Sequence, residues 1–330
     1  MPYIAVIGAG SWGTTLASLL SKKGFDVIIW ARRKEVAESI NYNKQNPDYL
    51  SEIILPNNLV ATDNIFEAVE KARYIVNAVP TQYIRGVFSQ IVNQVDNEVM
   101  IVSVSKGIEK DSLKTPSMIL KELFKRDIYV LSGPSFAIEV AQERPTAVTV
   151  SGNDKTKRLI LQEIFSTNYF RVYEHEDSVG AEIGGAVKNV IAIAAGICDA
   201  LELGANAKAA LITRGLQEIM RLGKKMGARE ITFSGLSGIG DLFLTCTSKL
   251  SRNYMVGYRI GKGESIEEIS KSMRAVAEGV ETSFSLVKLS QTLNIEMPIT
   301  VEVYNVLYNG KDPKEAVESL MNRTLKPEFY

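Results

Sequence analysis

The sequence predicts an α/β protein in two parts. Residues 1–177 are expected to form a mostly parallel sheet covered by helices, and residues 178–330 an all-α domain. Three observations support this division. Short apolar runs alternate with helical stretches up to residue 173, a glycine motif follows the first run directly, and strand signals end before the acidic segment EHED at 174–177.

The strands of the first part are short runs rich in β-branched and aromatic residues. They are predicted at 3–7, 25–30, 72–79, 99–105, 128–131, 146–150 and 169–173. Apolar residues recur at helical spacing between them, which predicts helices at 14–22, 83–95, 116–125 and 155–165. Alternation of this kind implies a mostly parallel sheet with both faces covered, which binds ligands at the carboxyl ends of its strands.

The second part lacks strand signals and reads as a series of helices. They are predicted at 178–200, 206–226, 265–273, 280–293, 299–308 and 312–321, with a break rich in glycine and serine at 234–240. The domain boundary is therefore placed near residues 174–178.

Composition excludes several classes of function. The 38 basic and 38 acidic residues cancel, so no long-range attraction toward nucleic acid is expected. Cys198 and Cys246 form no CxxC pair, and no His/Cys/Asp cluster has metal-ligand spacing, so neither a disulfide framework nor a metal is expected. His175, the single histidine, is expected to be a solvated loop residue.

The N-terminus begins directly with a strand and has no signal-peptide pattern. No apolar stretch reaches the ~20 uninterrupted residues of a membrane span. We therefore expect a cytoplasmic protein without membrane insertion.

The segment Gly8-Ala9-Gly10-Ser11-Trp12-Gly13 is a GxGxxG motif between a predicted strand and a predicted helix. That context is the one required of a dinucleotide-binding, Rossmann-type turn. Gly8 permits the tight turn, Gly10 lets a pyrophosphate approach the backbone, and Gly13 allows close packing of helix and strand. The N–H groups at the helix start favour an anion.

The end of the second strand indicates which dinucleotide is bound. NAD sites usually place an acid there to hold the ribose 2′-hydroxyl. Here Arg32 and Arg33 follow the strand, and no carboxylate appears until Glu35. Two guanidinium groups suit a 2′-phosphate. The sequence thus predicts a preference for NADP(H), with NAD(H) as a second acceptable cofactor.

Six segments, in their order along the chain, carry a specific resemblance. They are GAGSWGTTLA (8–17), SKGIE (105–109), SGPSFAIEVA (132–141), GGAVKNVIAIAAGI (184–197), GIGDLFLTCTSKLSRN (238–253) and AEGVETS (277–283). Together they closely resemble the NAD(P)-dependent glycerol-3-phosphate dehydrogenases of the bacterial type. The resemblance covers nearly the whole chain.

That resemblance implies reversible reduction of dihydroxyacetone phosphate, a small phosphorylated three-carbon substrate, to sn-glycerol 3-phosphate for phospholipid synthesis. It marks Lys188 as the general acid/base, with Lys106 and Asp241 as its catalytic neighbours. The substrate contacts that it implies are Lys106, Gly133, Ser135, Lys188, Asn189, Asp241, Thr245, Ser251, Arg252 and Asn253. The implied cofactor contacts are Gly8, Gly10, Ser11, Trp12, Gly13, Arg32, Arg33, Lys106, Ala137, Arg252, Val276 and Glu278.

A lysine in an apolar setting suits ketone reduction, which adds a hydride to carbon and a proton to oxygen. An apolar environment and a second lysine both lower the pKa of an ammonium toward neutrality. On a helix, Gly184, Gly185, Ile191 and Ala192 share the face of Lys188. We expect these small or apolar residues to let cofactor and substrate lie close to the helix.

Two alternatives remain open at the level of sequence. The 3-hydroxyacid and 6-phosphogluconate dehydrogenases also join a Rossmann domain to a helical domain with a lysine on its first long helix, although LTCTSKLSRN (244–253) favours the glycerol phosphate interpretation. A non-catalytic NADP(H)-binding sensor is the second alternative. A homodimer through the helical domain is a further hypothesis.

Overall fold

The computed structural model describes residues 3–273 and 277–328. Within these residues, eight strands form a single sheet in the order β3-β2-β1-β4-β5-β6-β7-β8. The strands are β1 Tyr3–Ile7, β2 Asp26–Trp30, β3 Val60–Thr62, β4 Tyr74–Asn77, β5 Met100–Ser103, β6 Ile128–Ser132, β7 Thr146–Ser151 and β8 Phe170–His175.

All neighbouring strands are parallel except β6 and β7, which are antiparallel. The prediction of a mostly parallel sheet is therefore confirmed. Ile7 lies level with Trp30 on one side and Asn77 on the other, and Asn77 lies level with Ser103. The carboxyl ends of β2, β1, β4 and β5 consequently form one edge, at which the loops of the site meet.

Seven helices connect these strands: α1 Ser11–Lys22, α2 Lys34–Tyr42, α3 Ile65–Val69, α4 Ile84–Phe88, α5 Pro116–Phe124, α6 Ala137–Ala141 and α7 Lys155–Phe165. Side chains that alternate along β1 enter two separate cores. Ile4 and Val6 belong to one core, whereas Ala5 and Ile7 belong to the other. Both faces of the sheet are thus covered, as its continuous apolar strands require.

The later described residues contain only helices: α8 Ser178–Ala200, α9 Gly204–Lys225, α10 Asp241–Thr247, α11 Arg252–Gly261, α12 Ile266–Ser272, α13 Glu278–Leu293, α14 Pro298–Tyr308 and α15 Pro313–Met321. α8 lies at the centre, buried along most of its length. It is long and apolar enough to cross a membrane, but 94% of its apolar 18-residue stretch is buried inside the protein. Its apolarity is that of a core helix.

Glycine sets the distance between α8 and α11. A Cβ atom on Gly257 would lie 1.9 Å from the Ile193 carbonyl oxygen, and one on Gly196 would lie 2.0 Å from the Tyr254 carbonyl oxygen. The two backbones therefore pack directly against each other. This contact fixes the start of α11 beside the middle of α8.

Several elements differ from prediction. The strand β3 and the helices α2, α3, α6, α10 and α11 are not anticipated by the sequence pattern, and the helix predicted at 83–95 ends at Phe88. The missed elements are mostly short, and α2 buries only three side chains. The expectation for His175 is wrong. It ends β8, and its Nδ1 accepts a hydrogen bond from the Asp177 amide, while burial lowers its pKa.

Candidate active site

Two lysines and one carboxylate form the centre of the site. The Lys188 ammonium donates to Asp241 Oδ1 at 2.5 Å, and the Lys106 ammonium donates to Asp241 Oδ2 at 2.6 Å. Lys188 is 7% exposed and Asp241 is 1% exposed. The three groups come from α8, the start of α10 and the loop after β5. They carry one uncompensated positive charge.

This environment changes the acidity of Lys188. Burial lowers its pKa to about 8, and the neighbouring Lys106 acts in the same direction, while Asp241 raises it. Thr245 Oγ1 donates to the Asp241 carbonyl oxygen at 2.6 Å and accepts from the Lys188 ammonium at 2.8 Å. The hydroxyl proton is thereby turned away, which leaves a lone pair for the ammonium.

The glycines beside Lys188 have a different role from the one predicted. A Cβ atom on Gly184 would lie 2.2 Å from the Ser237 carbonyl oxygen, and one on Gly185 would lie 3.2 Å from both the Lys106 stem and Ser132 Oγ. The expectation that they leave space for ligands is wrong, because protein atoms fill that space. Gly185 instead lets the Lys106 side chain pass α8 and reach Asp241.

The other two residues of that face are also occupied by protein. Ile191 packs against Gly215 of α9, where a Cβ atom would lie 2.6 Å from its side chain. Ala192 is completely buried in the helical core. Neither residue lines a ligand space.

The loop after β6 comes to the same place. Gly133 has a φ of +142°, and an added Cβ would lie 2.9 Å from the Val148 backbone, so glycine is required there. Its carbonyl oxygen accepts from both the Lys106 ammonium at 3.0 Å and Ser135 Oγ at 3.1 Å. Ser135 is thereby held near the lysine pair.

The start of α11 supplies the remaining predicted substrate residues. Ser251 caps the helix by accepting from the Tyr254 amide at 3.2 Å. Asn253 Oδ1 accepts from the Gly279 amide at 2.9 Å, and a Cβ on Gly279 would lie 2.7 Å from the carbonyl oxygen of Asn189. These contacts place the start of α11 beside the turn of α8 that follows Lys188.

Arg252, in contrast, is exposed and forms no hydrogen bond or ion pair with the described residues. Its backbone begins a helix of ten residues, whose first N–H groups favour an anion. Arg252 therefore combines a guanidinium, which Glu278 influences only through its charge, with a helix N-terminus.

The glycine motif has the geometry that the sequence indicates. Gly8 has a φ of +115°, and a Cβ on Gly13 would lie 1.9 Å from the Gly8 carbonyl oxygen. A Cβ on Gly10 would meet no atom of the described residues within 4 Å. Gly8 and Gly13 are thus needed by the protein itself, whereas Gly10 keeps open the space above the N-terminus of α1. Ser11 and Trp12 form the first turn of that helix.

Arg32 and Arg33 lie next to this loop because the Gly8 amide donates to the Trp30 carbonyl oxygen at 3.1 Å. Arg32 is exposed and has no hydrogen bond or ion pair within the described chain. Arg33 pairs with Asp48, and its guanidinium lies 6.0 Å from the ring centroid of Tyr49. Sequence reasoning missed Asp48 and Tyr49, which lie in a loop without a local signal.

Glu278 joins the helical part to the end of β4. Its Oε1 accepts from the Thr81 amide at 3.1 Å, while its Oε2 is buried and has no hydrogen-bond partner among the described residues. Burial raises the pKa of this carboxyl group to about 7. Ala137 begins α6, and its carbonyl oxygen accepts from Thr15 of α1 at 3.1 Å. The predicted contact Val276 lies outside the described residues.

These features fit a dinucleotide. The open space at Gly10, the free N-terminus of α1 and the two arginines suit phosphate groups, and the unpartnered Glu278 oxygen suits an amide or hydroxyl donor. No group of three His, Cys, Asp or Glu side chains in the described chain could hold a metal ion.

Comparison with known families decides between the alternatives. The sequence-family model for the NAD-dependent glycerol-3-phosphate dehydrogenase N-terminus matches residues 3–158, and the family model for the C-terminus matches residues 177–318. The chain belongs to this family. The 3-hydroxyacid and 6-phosphogluconate alternative is therefore not supported.

Individual members of the glycerol-3-phosphate dehydrogenase family agree over the full length. The glycerol-3-phosphate dehydrogenase [NAD(P)+] of Leptospira biflexa is 50% identical over 98% of this chain and 99% of its own. The crystal structure of the Coxiella burnetii enzyme superposes with a TM-score of 0.94 at 36% identity, covering 98% of this chain and 99% of that one. The enzyme of Saccharomyces cerevisiae gives a TM-score of 0.83 at 31% identity, covering 96% and 99%.

Proposed function

We propose that this protein interconverts dihydroxyacetone phosphate and sn-glycerol 3-phosphate with NADP(H) or NAD(H). The observation that carries the proposal is a buried lysine of lowered pKa, held by Asp241 and Thr245 at the ligand-binding edge of a dinucleotide-binding sheet. NAD(P)H, when bound, supplies the hydride that adds to the carbonyl carbon.

Lys188 supplies the proton. An ammonium has three N–H donors, of which Asp241 and Thr245 accept two, so one remains for the substrate oxygen. As the carbonyl carbon is reduced, charge develops on this oxygen and the Lys188 proton moves to it. In the oxidation direction the neutral amine takes the hydroxyl proton. With a pKa of about 8, the group can serve in both directions near neutral pH.

Asp241 and Lys106 set the electrostatics of this step. Asp241 holds both ammonium groups, so the two lysines are close without being left unpaired. Lys106 adds a second positive charge, which stabilises the developing alkoxide. Both groups are fixed by the fold before substrate binds, so little reorganisation is needed.

The substrate phosphate is assigned to the N-terminus of α11. Arg252 offers a planar, bidentate donor, and the first amides of the helix add to it. Ser251 and Asn253 lie at the same helix start, which packs beside Asn189, whereas Gly133 and Ser135 lie near Lys106. The site thus separates a phosphate end at Arg252 from a reacting end at Lys188.

The cofactor preference is part of the proposal. Arg32 and Arg33 at the end of β2 favour the 2′-phosphate of NADP(H). Equal dissociation constants for NADH and NADPH would refute this preference.

We further propose that the protein makes glycerol 3-phosphate for phospholipids in the cytoplasm. We propose that its two domains are residues 1–177 and 178–330, with the substrate bound between them. We also propose that it forms a homodimer through the helical domain. Light scattering of the purified protein tests the dimer, since a monomer mass at micromolar concentration would exclude it.

The decisive assay follows NADPH and NADH oxidation with dihydroxyacetone phosphate and, in parallel, with the keto forms of a panel of 3-hydroxy acids. Turnover of the triose phosphate alone is expected. Stoichiometric cofactor binding without turnover of any substrate would instead support the sensor alternative. Lys188→Ala serves as the matched inactive control.

A further inference from the structure

The loop at residues 46–50 lies against the glycine motif and is fixed there from both ends. Asn46 is completely buried, and its side-chain amide donates to the Ala9 carbonyl oxygen at 2.9 Å and to Thr14 Oγ1 at 2.8 Å. At the other end, Ser11 Oγ donates to the Tyr49 carbonyl oxygen at 3.2 Å. The loop therefore keeps a defined position relative to the pyrophosphate turn.

Asp48 lies between these two anchors and pairs with Arg33. The Asp48 side chain is 28% exposed and that of Arg33 is 47% exposed. Arg33 is also restrained by the Tyr49 ring, 6.0 Å from its guanidinium. A carboxylate is thus held in space beside the end of β2, although the sequence places none at the end of that strand.

The two arginines of this turn are consequently not equivalent. Arg32 has no charged partner among the described residues, whereas Arg33 is neutralised by Asp48. A 2′-phosphate that binds both guanidinium groups must share Arg33 with a carboxylate and approach that carboxylate closely. Like charges at such a distance repel each other. The uncharged 2′-hydroxyl of NAD(H) meets no such repulsion and can donate to a carboxylate.

We infer that Asp48 is a specificity-determining residue that limits the preference for NADP(H) over NAD(H) by occupying Arg33. The inference rests on the proposal that Arg32 and Arg33 receive the 2′-phosphate. It explains how a turn with two arginines keeps NAD(H) acceptable. The residue acts on cofactor choice and takes no part in the proton transfer at Lys188.

The test is Asp48→Asn, which removes the charge and keeps the shape. Dissociation constants for NADPH and NADH are measured by calorimetry at one pH and one salt concentration, without substrate. The ratio of the NADH constant to the NADPH constant is expected to rise about fivefold to tenfold, mainly through tighter NADPH binding. An unchanged or lower ratio overturns the inference.

Two further variants make the result specific. Glu52→Gln removes an exposed carboxylate four positions farther along the chain and should change the ratio by less than about twofold. An unspecific effect of net charge would instead change the ratio in this variant as much as in Asp48→Asn. In an Arg33→Gln background, Asp48→Asn should tighten NADPH binding much less, because the guanidinium that it releases is absent and only the direct repulsion between Asp48 and the phosphate is relieved. A gain of undiminished size in that background overturns the mechanism through Arg33.

The two levels of proposal fail in different ways. If Arg33→Gln alone leaves NADPH binding unchanged, Arg33 does not receive the phosphate and the assignment of the 2′-phosphate site fails. If Arg33→Gln weakens NADPH binding but Asp48→Asn does not strengthen it, only the role of Asp48 fails.

Discussion

Replacing Asp241 by asparagine tests the electrostatic account of the site most directly. In the protein, Asp241 is the only group that hydrogen-bonds both Lys188 and Lys106 within the described chain, and it raises the pKa of Lys188 against the effect of burial. Asp241→Asn keeps the shape and removes the charge. The Lys188 pKa should therefore fall below its present value of about 8.

The size of this fall follows from the contact that is lost. A hydrogen bond to a charged group contributes about 1.5–3 kcal/mol, and one pKa unit corresponds to about 1.4 kcal/mol, so the pKa should fall by about one to two units. Reduction of dihydroxyacetone phosphate requires the protonated lysine, so its rate is high below this pKa and declines above it. Oxidation of glycerol 3-phosphate requires the neutral amine and has the opposite dependence.

The assay measures kcat/KM in both directions between pH 5.5 and 9.5 by NADPH absorbance. In the wild type, both limbs should lie near pH 8, as the Lys188 pKa of about 8 requires. In Asp241→Asn both should move to lower pH by about one to two units. Asp177→Asn is the control, because it removes a buried carboxylate at the start of α8, where Asp177 caps the helix. It should lower stability without moving the limbs. If the limbs of Asp241→Asn remain in place, Lys188 is not the group that titrates.

Three further predictions concern single positions. Lys188→Met should lower kcat by about 10²–10⁴-fold with nearly unchanged NADPH binding. It should also raise the melting temperature at pH 7. A Lys188 pKa lowered from 10.5 to about 8 costs the folded protein about 3 kcal/mol of stability below pH 8, and this cost fades between pH 8 and 10.5. A melting temperature several degrees lower would contradict the burial argument. Arg252→Ala should raise KM for dihydroxyacetone phosphate about 10- to 100-fold in steady-state assays, and an unchanged KM would remove Arg252 from the phosphate site. Gly13→Ala should destabilise the fold because its Cβ would lie 1.9 Å from the Gly8 carbonyl oxygen. Gly10→Ala meets no described atom within 4 Å and should weaken only cofactor binding. Equal melting temperatures for the two variants would contradict this distinction.

Much of the fold follows from local pattern. The long buried helix α8 and the apolar strands are predicted because their side chains are buried in a regular period. α2 and α6 are missed because only part of a short helix is buried, and α10 and α11 because glycine, serine and threonine surround them. In these elements tertiary packing, such as Gly257 against Ile193, replaces a local signal.

The site also contains one part that the sequence predicts and one part that depends on tertiary contacts. The phosphate turn at Gly8–Gly13 is recognisable from the sequence because residues adjacent in the chain set its backbone geometry. The cluster of Lys188, Asp241 and Lys106 is assembled across 53 positions between Lys188 and Asp241 and 135 positions between Lys106 and Asp241. No spacing rule predicts such contacts. The expectation for Gly185 is wrong for this reason, since its neighbour is the Lys106 stem from the other half of the chain.

The sequence by itself determined which chemical groups are present and that a dinucleotide turn follows the first strand, because such turns depend on neighbouring residues. Only the tertiary structure decided that one carboxylate holds both lysines, that the Lys188 pKa lies near 8, and that Asp48 pairs with Arg33. These properties depend on distance through space and on exclusion of water, which a linear order of residues does not specify.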